Sequence, residues 1–359
     1  MTSSVTARDV AKLAEVSVGT VSRVFNNHSN VSEEIRQRVL KVAAELGYYR
    51  NTGGQAILPR TQNRILKEVG FLYCSSIEPT PATMDPYWAP IFHGVESASR
   101  PSNIKITYRT ITDIYLNPAL LTTVLYEMRL GGIILVGQAN AQTIAAIHAT
   151  HTPVVQVDNY VADLPTPIDT ILPDNLQGAR LAMDHLFERG HQQIAFIGGP
   201  TLPGPAPAQQ IYSIQQRWMC YCMAFLGRNL PINFDLVEAG NLTMEGGYAA
   251  CKRLLEREVA FSAIFCADDI TAIGAMKALR EAGCRIPGDV SLIGFDDIEL
   301  GQHVTPALTT IRVNTTAMGT IALHTLIERA NNPEAPYMTR LIGTELVIRE
   351  SVAPPQHSR

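Results

Sequence analysis

Residues 1–50 carry apolar and polar positions that alternate with the period of an α-helix, in three short runs. Thr6 and Ser17 are expected to cap the first two helices, because a hydroxyl at that position accepts from the free amides of the first turn. Ser32 opens the third helix and Gly47 ends it. The pattern therefore predicts a small three-helix unit, in which the second helix follows the first after a tight turn.

A linker is predicted at residues 51–63, because "NTGGQAILPRTQNR" has paired glycines, a proline and few core residues. From residue 64 onward, apolar runs of strand length alternate with helical patterns up to the end of the chain at residue 359. Unbroken β-branched strands that alternate with helices indicate parallel sheets covered on both faces. The number of units exceeds one sheet, so the chain is expected to form two doubly wound lobes.

The charge is distributed unevenly between the two parts of the chain. Eight Lys/Arg and five Asp/Glu in residues 1–60 give that segment +3, whereas the whole chain carries −4, so the remainder carries −7. This asymmetry favours a head that faces nucleic acid on an acidic body. Hydrophobic residues at 46% and charged residues at 17% argue against disorder.

Several functional classes lack their sequence signals. The six cysteines form no C-x-x-C pair, which predicts reduced core thiols in a cytoplasmic protein and no metal site. No signal peptide is evident, and no apolar run reaches the ~18 residues of a membrane span. Neither nucleotide-binding glycine motif is present, and there is no nucleophile elbow, so no cofactor is predicted and an enzyme is disfavoured.

Polar and aromatic side chains follow several predicted strands, at the edge where such folds bind ligands. Carboxylates and an arginine beside aromatic rings suit a sugar, whose hydroxyls need polar partners and whose apolar face packs on rings. An alternative stays open, since an Asp at a strand end often caps the next helix, and Asp269 and Asp297 are candidates for that role. The predicted ligand-binding residues are Asp85, Tyr87, Trp88, Asp158, Arg217, Trp218, Asp268, Phe295 and Asp296.

The run "DVAKLAEVSVGTVSRVFNN…VSEEIRQRVLKVAAELGY" closely resembles the helix-turn-helix of LacI/GalR-type repressors. The runs "GARLAMDHLFERGHQQIAFIGG", "ADDITAIGAMKALREAGCRIPGDVSLIGFDDIEL" and "TPALTTI" resemble the effector-binding core of the same family. The resemblance covers almost the whole chain. It implies an all-α helix-turn-helix head (residues 1–50), a hinge (51–63) and an α/β core (64–359) of two doubly wound parallel-sheet lobes of the periplasmic-binding-protein type. The first lobe would span about 64–160 and 298–333, and the second about 161–297 and 334–352.

The resemblance also implies which residues meet double-stranded operator DNA. In a helix-turn-helix the second helix lies in the major groove with its N-terminal residues at base edges. Val18 and Gly19 would occupy the operator-discriminating positions, Val18 against a thymine methyl, and Arg23 would donate to guanine or phosphate. The implied DNA-binding set is Thr6, Ser17, Val18, Gly19, Thr20, Ser22, Arg23, Asn26, Ser32, Tyr48, Asn51 and Ile57.

The hinge departs from the family pattern, which usually has Pro-Asn and then an alanine-rich helix with a leucine that wedges into the minor groove. Here Arg50-Asn51 precede "TGGQAIL", so Ile57 stands where the leucine would. Gly53 and Gly54 each cost roughly 1 kcal/mol of helix propensity relative to alanine. We therefore expect a hinge that is disordered without DNA and helical only when dimer and operator hold it.

The effector assignment rests on two further stretches. "RWMCY" differs from the family pattern R-x-x-G-Y by Cys220 in place of glycine, and "MDPYWAPIFHGVE" resembles the corresponding stretch of galactoside regulators. Together these features predict a cytoplasmic, homodimeric repressor of a galactoside-utilisation operon that a sugar inducer releases from its operator, with no membrane partner. Two alternatives remain: a two-lobed sugar-binding protein, or a sugar-acting enzyme with Asp268 and Asp296 as acid and base.

Overall fold

The computed structural model describes residues 6–25, 31–46, 66–74, 85–198 and 211–356. Three helices form the head: α1 (Ala7–Leu13), α2 (Val18–Phe25) and α3 (Glu33–Leu46). They share a small core, to which Val10, Val21 and Val39 each contribute a fully buried side chain. The three-helix unit is as predicted, whereas Gly47 and the linker at 51–63 lie outside the described residues.

The predicted caps of the head lie at the starts of the three helices. Thr6 is the N-cap residue of α1, and its amide and hydroxyl both donate to Oδ2 of Asp9, at 2.8 and 2.7 Å. Oγ of Ser17 accepts from the amide of Thr20 at 3.0 Å. Oγ of Ser32 accepts from the amide of Ile35 at 3.4 Å. Ser17 and Ser32 thus accept from first-turn amides as expected, whereas Thr6 donates to Asp9 through its hydroxyl and its own amide.

A six-stranded, wholly parallel sheet forms the centre of the first lobe, in the order β11-β5-β4-β3-β1-β2. Its strands alternate their buried side chains between two apolar clusters, one on each face. The strands are β1 (Glu68–Cys74), β2 (Lys105–Thr110), β3 (Gly132–Gly137), β4 (Val154–Val157), β5 (Asp169–Pro173) and β11 (Thr339–Ile342). The covering helices are α4 (Trp88–Ser99) and α12 (Thr315–Asn331) on one face, and α5 (Pro118–Met128) and α6 (Ala141–His148) on the other.

A four-stranded parallel sheet in the order β7-β6-β8-β9 forms the second lobe. Its strands are β6 (Ile194–Ile197), β7 (Val237–Glu238), β8 (Ala263–Cys266) and β9 (Ser291–Ile293). The helices of this lobe are α7 (Asn175–Glu188), α8 (Tyr212–Leu226), α9 (Met244–Glu256), α10 (Asp269–Glu281) and α11 (Glu299–His303). A separate antiparallel pair joins β10 (Thr310–Val313) to β12 (Thr344–Val347), and single bridges attach β10 in parallel beside β9.

The strand pairing corrects the expected lobe boundaries. The segment "DTILP" forms β5 in the first sheet, although residues from 161 onward were expected in the second lobe. Residues 334–342 also return to the first sheet, because β11 pairs with β5, whereas residues 298–313 remain with the second lobe beside β9. The segment "RLIGTELVIRE" contributes to two strands in different sheets, β11 and β12, and Gly343 lies between them.

A buried ion pair explains why residues 334–342 return to the first sheet. The guanidinium of Arg329 donates from Nε to Oδ2 of Asp169 at 2.8 Å, and the amide of Met338 donates to Oδ1 of the same carboxylate at 3.0 Å. Asp169 is 1% exposed and Arg329 7%, so the pair is shielded from water. The crossover is thereby tied to β5 by contacts that no local pattern encodes.

Within the described ranges, every helix is too short or too polar to span a bilayer.

Candidate functional site

A cavity of about 370 Å³ lies between the two lobes, outside the carboxyl ends of their strands. Its first-lobe wall follows β1, β3 and β4, and its second-lobe wall follows β8 and β9 and includes the first turns of α8 and α9. Parallel sheets bind ligands at this edge, because the strand-to-helix connections place polar groups there. A cavity of this size between lobes suits a small molecule.

Seven of the nine predicted ligand residues line this cavity: Asp85, Tyr87, Trp88, Asp158, Arg217, Asp268 and Asp296. Phe295 does not, because it is fully buried with its ring centroid 3.6 Å below the Arg217 guanidinium. Trp218 was also predicted wrongly, since it stacks on Tyr221 with 5.2 Å between ring centroids. Neighbouring helical positions point about 100° apart, so α8 directs Arg217 to the cavity and Trp218 to an aromatic cluster.

Arg217 is held by three acceptors of the second lobe. Its Nε donates to Oδ1 of Asn175 at 3.0 Å, its Nη1 to the carbonyl of Ala267, and its Nη2 to Oδ1 of Asp296 at 3.3 Å. The side chain is 3% exposed. Cys220, which replaces the family's glycine, is also buried, and its thiol donates to the carbonyl of Leu176 at 3.4 Å. The arginine is therefore preorganised, with part of its N–H inventory left for a ligand.

Two of the cavity carboxylates also cap helices. Oδ1 of Asp85 accepts from the amides of Tyr87 and Trp88, at 2.8 and 3.1 Å. Asp268 is the N-cap residue of α10 and accepts from the amide of Thr271 at 2.6 Å. Capping and cavity lining are thus combined in the same side chains, and the capping leaves further lone pairs on each carboxylate.

The capping role considered for Asp269 and Asp297 is wrong. Asp269 is fully buried and accepts from the hydroxyl of Thr310 at 2.6 Å and from the amide of Ile298 at 2.9 Å. Asp297 forms ion pairs with Arg312 and Arg349, at 2.7 and 2.6 Å. Both carboxylates therefore join β10 to the second lobe, and Asp297 also holds the segment that follows β12.

Tyr87 and Asp158 meet in the cavity wall, where the Tyr87 hydroxyl hydrogen-bonds the Asp158 carboxylate and opposes the rise of its pKa. Among the described residues, Oδ1 of Asp158 and the Tyr87 hydroxyl have no other hydrogen-bond partner. Asp158 is 9% exposed, and its φ of 57° lies in the left-handed region that side chains with a Cβ seldom adopt. The φ of Asp296 is 108°, which lies even further from the backbone regions that residues with a Cβ normally adopt. Strained backbone of this kind concentrates where a protein binds a ligand.

Burial changes the protonation of the cavity carboxylates. It raises the pKa of Asp158 to about 6, against the opposing effect of Arg217. It also raises the pKa of Asp85 and of Asp268 above the ordinary range. For Asp296 burial holds the pKa well above that range, although Arg217 opposes it. The common cause is desolvation of the charged form in a cavity with more carboxylates than cations.

Sequence reasoning missed several polar residues of the cavity wall. Gln138 directly follows β3 and Asn159 is the second residue after β4, so the rule that singled out Asp158 also applied to them. Thr243 caps α9 by accepting from the amide of Gly246 at 2.9 Å, and it lines the cavity together with Ser213 and Glu245. Thr243, Ser213 and Glu245 lie at the starts of helices and carry no strand-end signal, and only the assembled lobes bring them to the wall.

The exposed face of α2 holds part of the predicted DNA-binding set. Val18 is 45% exposed, and Ser17, Gly19 and Arg23 are exposed as well. An added Cβ at Gly19 would meet only Oγ of Ser17, at 3.6 Å, so this position offers close approach to the backbone. Thr6 and Ser32 are exposed, and Thr20 and Ser22 are half-buried. Asn26, Tyr48, Asn51 and Ile57 lie outside the described residues.

No cluster of three or more potential metal ligands occurs in the part of the chain that the structure describes. All six cysteines are free thiols. The residues that line the cavity offer hydrogen-bonding groups, ring faces and charge.

Two family models match this chain. The model of bacterial regulatory proteins, lacI family, matches residues 6–51, and that of the periplasmic binding protein-like domain matches residues 183–352. The probable HTH-type transcriptional repressor ExuR of Bacillus subtilis is 32% identical over 97% of this chain and 98% of its own length. The ribose operon repressor of Haemophilus influenzae is 30% identical over 97% and 98%.

Solved structures agree with these matches. The complex of the transcriptional regulator CelR with cellobiose has a TM-score of 0.73 and 28% identity, and the match covers 97% of this chain and 99% of that one. The lac repressor dimer bound to operator and the anti-inducer ONPF has a TM-score of 0.66 and 27% identity, over 98% and 100%. Head and core thus match together, over nearly the whole length of each protein.

Proposed function

Because the chain belongs to the LacI family of bacterial regulatory proteins, and is a DNA-binding transcriptional repressor with a sugar-binding domain, we propose that it represses a galactoside-utilisation operon as a homodimer. A sugar inducer in the cavity between the lobes lowers its affinity for the operator. Two heads bind a pseudo-palindrome whose half-sites are about one helical turn apart. The observation that carries the proposal is a helix-turn-helix head on the same chain as a polar, ring-lined cavity between two lobes.

The side chains of the cavity suit a sugar. Asp158 and Arg217 stand on opposite lobes and offer an acceptor and N–H donors to hydroxyl groups. The rings of Tyr87 and Trp88 lie edge to face, with 4.8 Å between centroids, and offer apolar surface to a pyranose. A galactoside is favoured because the stretch that resembles galactoside regulators, Asp85 to Trp88, forms part of this wall.

Release of DNA follows from a ligand that bridges the lobes. A sugar bound to Asp158 of the first lobe and Arg217 of the second favours the arrangement in which both contacts are made. The linkers that carry the two heads then change their spacing, and the heads no longer match both half-sites. A 100-fold loss of operator affinity requires about 2.7 kcal/mol of coupling between the two sites.

The enzyme alternative has little support from the cavity. Asp296 is bonded to Arg217 at 3.3 Å, and both oxygens of Asp268 accept from Thr271, at 2.6 and 3.1 Å. A general acid and base need free oxygens directed at a scissile bond. The relatives that match over the whole length are repressors.

A gel-shift experiment tests the proposal. The full-length protein is incubated with DNA from upstream of its own gene, with and without galactosides, and the fraction of bound DNA is measured. We expect a shifted protein–DNA complex that dissociates when galactoside is added, and a smaller fraction of bound DNA with the Arg23→Ala variant. Absence of any complex at low salt would contradict the DNA-binding role, and turnover of the galactoside would contradict a role restricted to regulation.

A further inference from the structure

Two tyrosine rings meet across the gap between the lobes. The ring centroids of Tyr160 and Tyr212 are 5.3 Å apart, with an angle of 45° between the ring planes. Tyr160 lies in the connection from β4 to β5 of the first lobe, and Tyr212 is the first residue of α8 in the second lobe. The aromatic clusters around Phe71 and around Phe196 each lie within one lobe, whereas this contact joins the two. We call Tyr160 and Tyr212 the interlobe ring pair.

Tyr160 is held to the first lobe by the residues on both sides of it. The side-chain amide of Asn159 donates to the carbonyl of Ala139 at 2.9 Å, and the backbone amide of Asp158 donates to a carbonyl of β5 at 2.9 Å. On the other side, Val161 packs against the apolar cluster that α5 and α6 cover. The Tyr160 side chain itself is 43% exposed, so it projects from this lobe. Its position therefore follows that of the first lobe.

Tyr212 is held to the second lobe through α8. Ile214 and Arg217 of the same helix are at most 5% exposed, and Arg217 is bonded to three acceptors of this lobe. Burial raises the pKa of Tyr212, and the nearby Tyr160 and Asp174 add to the increase. Asp174 is the N-cap residue of α7, where the chain crosses from β5 into the second lobe. The ring pair therefore lies close to a crossing between the lobes.

Both rings are immediate chain neighbours of residues that line the cavity. These wall residues are Asp158, Asn159, Ile211 and Ser213. Because each ring is held to its own lobe, a change in the separation of the two walls also changes the distance between the rings. Tyr160 and Tyr212 do not belong to the wall themselves, so a sugar in the cavity leaves their contact in place.

We propose that the interlobe ring pair positions the two cavity walls for the effector, by stabilising the lobe arrangement in which Asp158 and Arg217 face the same cavity. This inference rests on the proposed function, which makes the cavity the effector site. An aromatic contact at this distance favours the arrangement that forms it by about 2- to 10-fold in an equilibrium constant. Effector binding and the ring contact favour the same arrangement, whereas operator DNA favours the other. Loss of the contact therefore weakens effector binding without weakening operator binding.

Tyr160→Ala is the variant that removes the ring contact. Tyr160→Phe is its conservative counterpart, because phenylalanine keeps the ring. Tyr126→Ala is the matched control, since Tyr126 also belongs to the first lobe, is 41% exposed and lies outside the cavity wall. Tyr212→Ala and the double variant complete a double-mutant cycle, which separates the contact between the rings from the loss of each side chain.

Trp88 can serve as a probe of the cavity in the full-length protein without a ligand. The chain has two tryptophans, of which Trp88 lines the cavity and Trp218 stacks on Tyr221. Trp218→Phe keeps a ring in that cluster and leaves Trp88 as the single tryptophan. In this background we expect acrylamide to quench Trp88 fluorescence more strongly in Tyr160→Ala than in Tyr160→Phe or Tyr126→Ala, because lobes without the ring contact separate more often. Equal quenching constants in the three variants would overturn the inference, whichever sugar the protein binds.

Isothermal titration calorimetry with methyl β-D-galactoside and gel shifts with DNA from upstream of the gene measure the consequence for binding. We expect Tyr160→Ala to weaken galactoside binding about 2- to 10-fold and to leave DNA affinity unchanged or higher. Tyr160→Phe and Tyr126→Ala should bind the galactoside as the unmodified protein does. In the double variant, the losses from Tyr160→Ala and Tyr212→Ala should be less than additive, because both remove the same contact.

Two binding results would overturn the inference. One is a loss of DNA affinity in Tyr160→Ala that matches its loss of galactoside affinity, which would indicate damage to the fold. The other is full additivity in the double-mutant cycle. If the unmodified protein binds no galactoside, the galactoside assignment of the proposed function fails, and the quenching of Trp88 still decides the role of the ring pair.

Discussion

Nη2 of Arg217 lies 3.3 Å from Oδ1 of Asp296, and the two side chains are only 3% and 10% exposed. The pair joins α8 to the end of β9, where the φ of Asp296 is 108°. A residue with a Cβ in such a region costs of order 1–3 kcal/mol, so surrounding bonds must hold it there. The ion pair is one of those bonds, and it thereby sets the geometry of the second-lobe wall.

Replacement of Arg217 by methionine is expected to lower the free energy of unfolding by roughly 3–5 kcal/mol and to abolish sugar binding. The variant leaves the Asp296 carboxylate and Oδ1 of Asn175 buried without their donor. Urea unfolding measures the first effect and calorimetry the second. Arg228→Met is the control, since Arg228 is 37% exposed and pairs with Asp184 at the surface, where loss of a pair costs less than about 1 kcal/mol. An equal decrease in the free energy of unfolding in the two variants would contradict the role of Arg217 in holding the second-lobe wall.

Asp158 is expected to make stability and sugar binding depend on pH in opposite directions. Burial raises its pKa from 3.8 to about 6, so its contribution to folding stability is complete below pH 3.8 and is lost as the pH rises through about 6. Sugar donors favour the carboxylate, so affinity for a neutral sugar rises over the same interval. Asp158→Asn should flatten both profiles, measured by thermal unfolding and calorimetry between about pH 4 and 8. An unchanged profile in the variant would assign the titration to another group.

Removal of the buried cation Arg329 is expected to destabilise the first lobe. Besides Asp169, its guanidinium donates to the carbonyl of Pro333 at 3.0 Å and lies 4.1 Å from the ring centroid of Tyr337. Arg329→Met should therefore lower the free energy of unfolding by roughly 3–5 kcal/mol. In Arg340→Met, which loses an exposed pair with Glu328, a change below about 1 kcal/mol is expected in the same urea titration.

Substitution of Arg23 by alanine tests the exposed face of α2. If Arg23 contacts guanine, the variant should lose about 1–3 kcal/mol of operator-binding free energy, and the loss should depend on the base at one operator position. If Arg23 contacts phosphate, operator affinity should fall equally for all operator variants, and the slope of log affinity against log salt concentration should be smaller by about 0.9. Gel shifts at several salt concentrations with operator variants distinguish the two contacts. Sugar affinity serves as the control, and operator affinity equal to that of the unmodified protein would exclude both contacts.

The hinge prediction concerns Gly53 and Gly54, which lie outside the described residues. Each glycine-to-alanine change adds roughly 1 kcal/mol of helix propensity, so operator affinity should rise by up to about fivefold per change if the hinge becomes helical on DNA. Operator affinity is measured by gel shift. Hydrogen exchange of the free protein should show no protection at residues 51–63. A protected hinge in the free protein would contradict the prediction.

The predictions from sequence succeeded where a local pattern determines the outcome. The head helices follow from helical periodicity and hydroxyl caps, and Asp158 follows from a polar residue after an apolar strand. They failed where two alternatives had the same local pattern. Positions 217 and 218 are neighbours in the second turn of α8, but Trp218 packs against Tyr221 instead of facing the cavity.

The residue pattern by itself determined the alternation of strands and helices, the separate basic head and most of the polar cavity wall, because these depend on spacing along the chain. Tertiary structure decided which strands share a sheet. The short strands β5 and β11 joined the first sheet through their pairing and through the bond between Arg329 and Asp169. It also decided the charge of the cavity, since five carboxylates from separate segments of the chain meet there around one arginine that is already bonded. Sheet membership and local charge depend on neighbours that are distant in sequence, and only the folded chain brings them together.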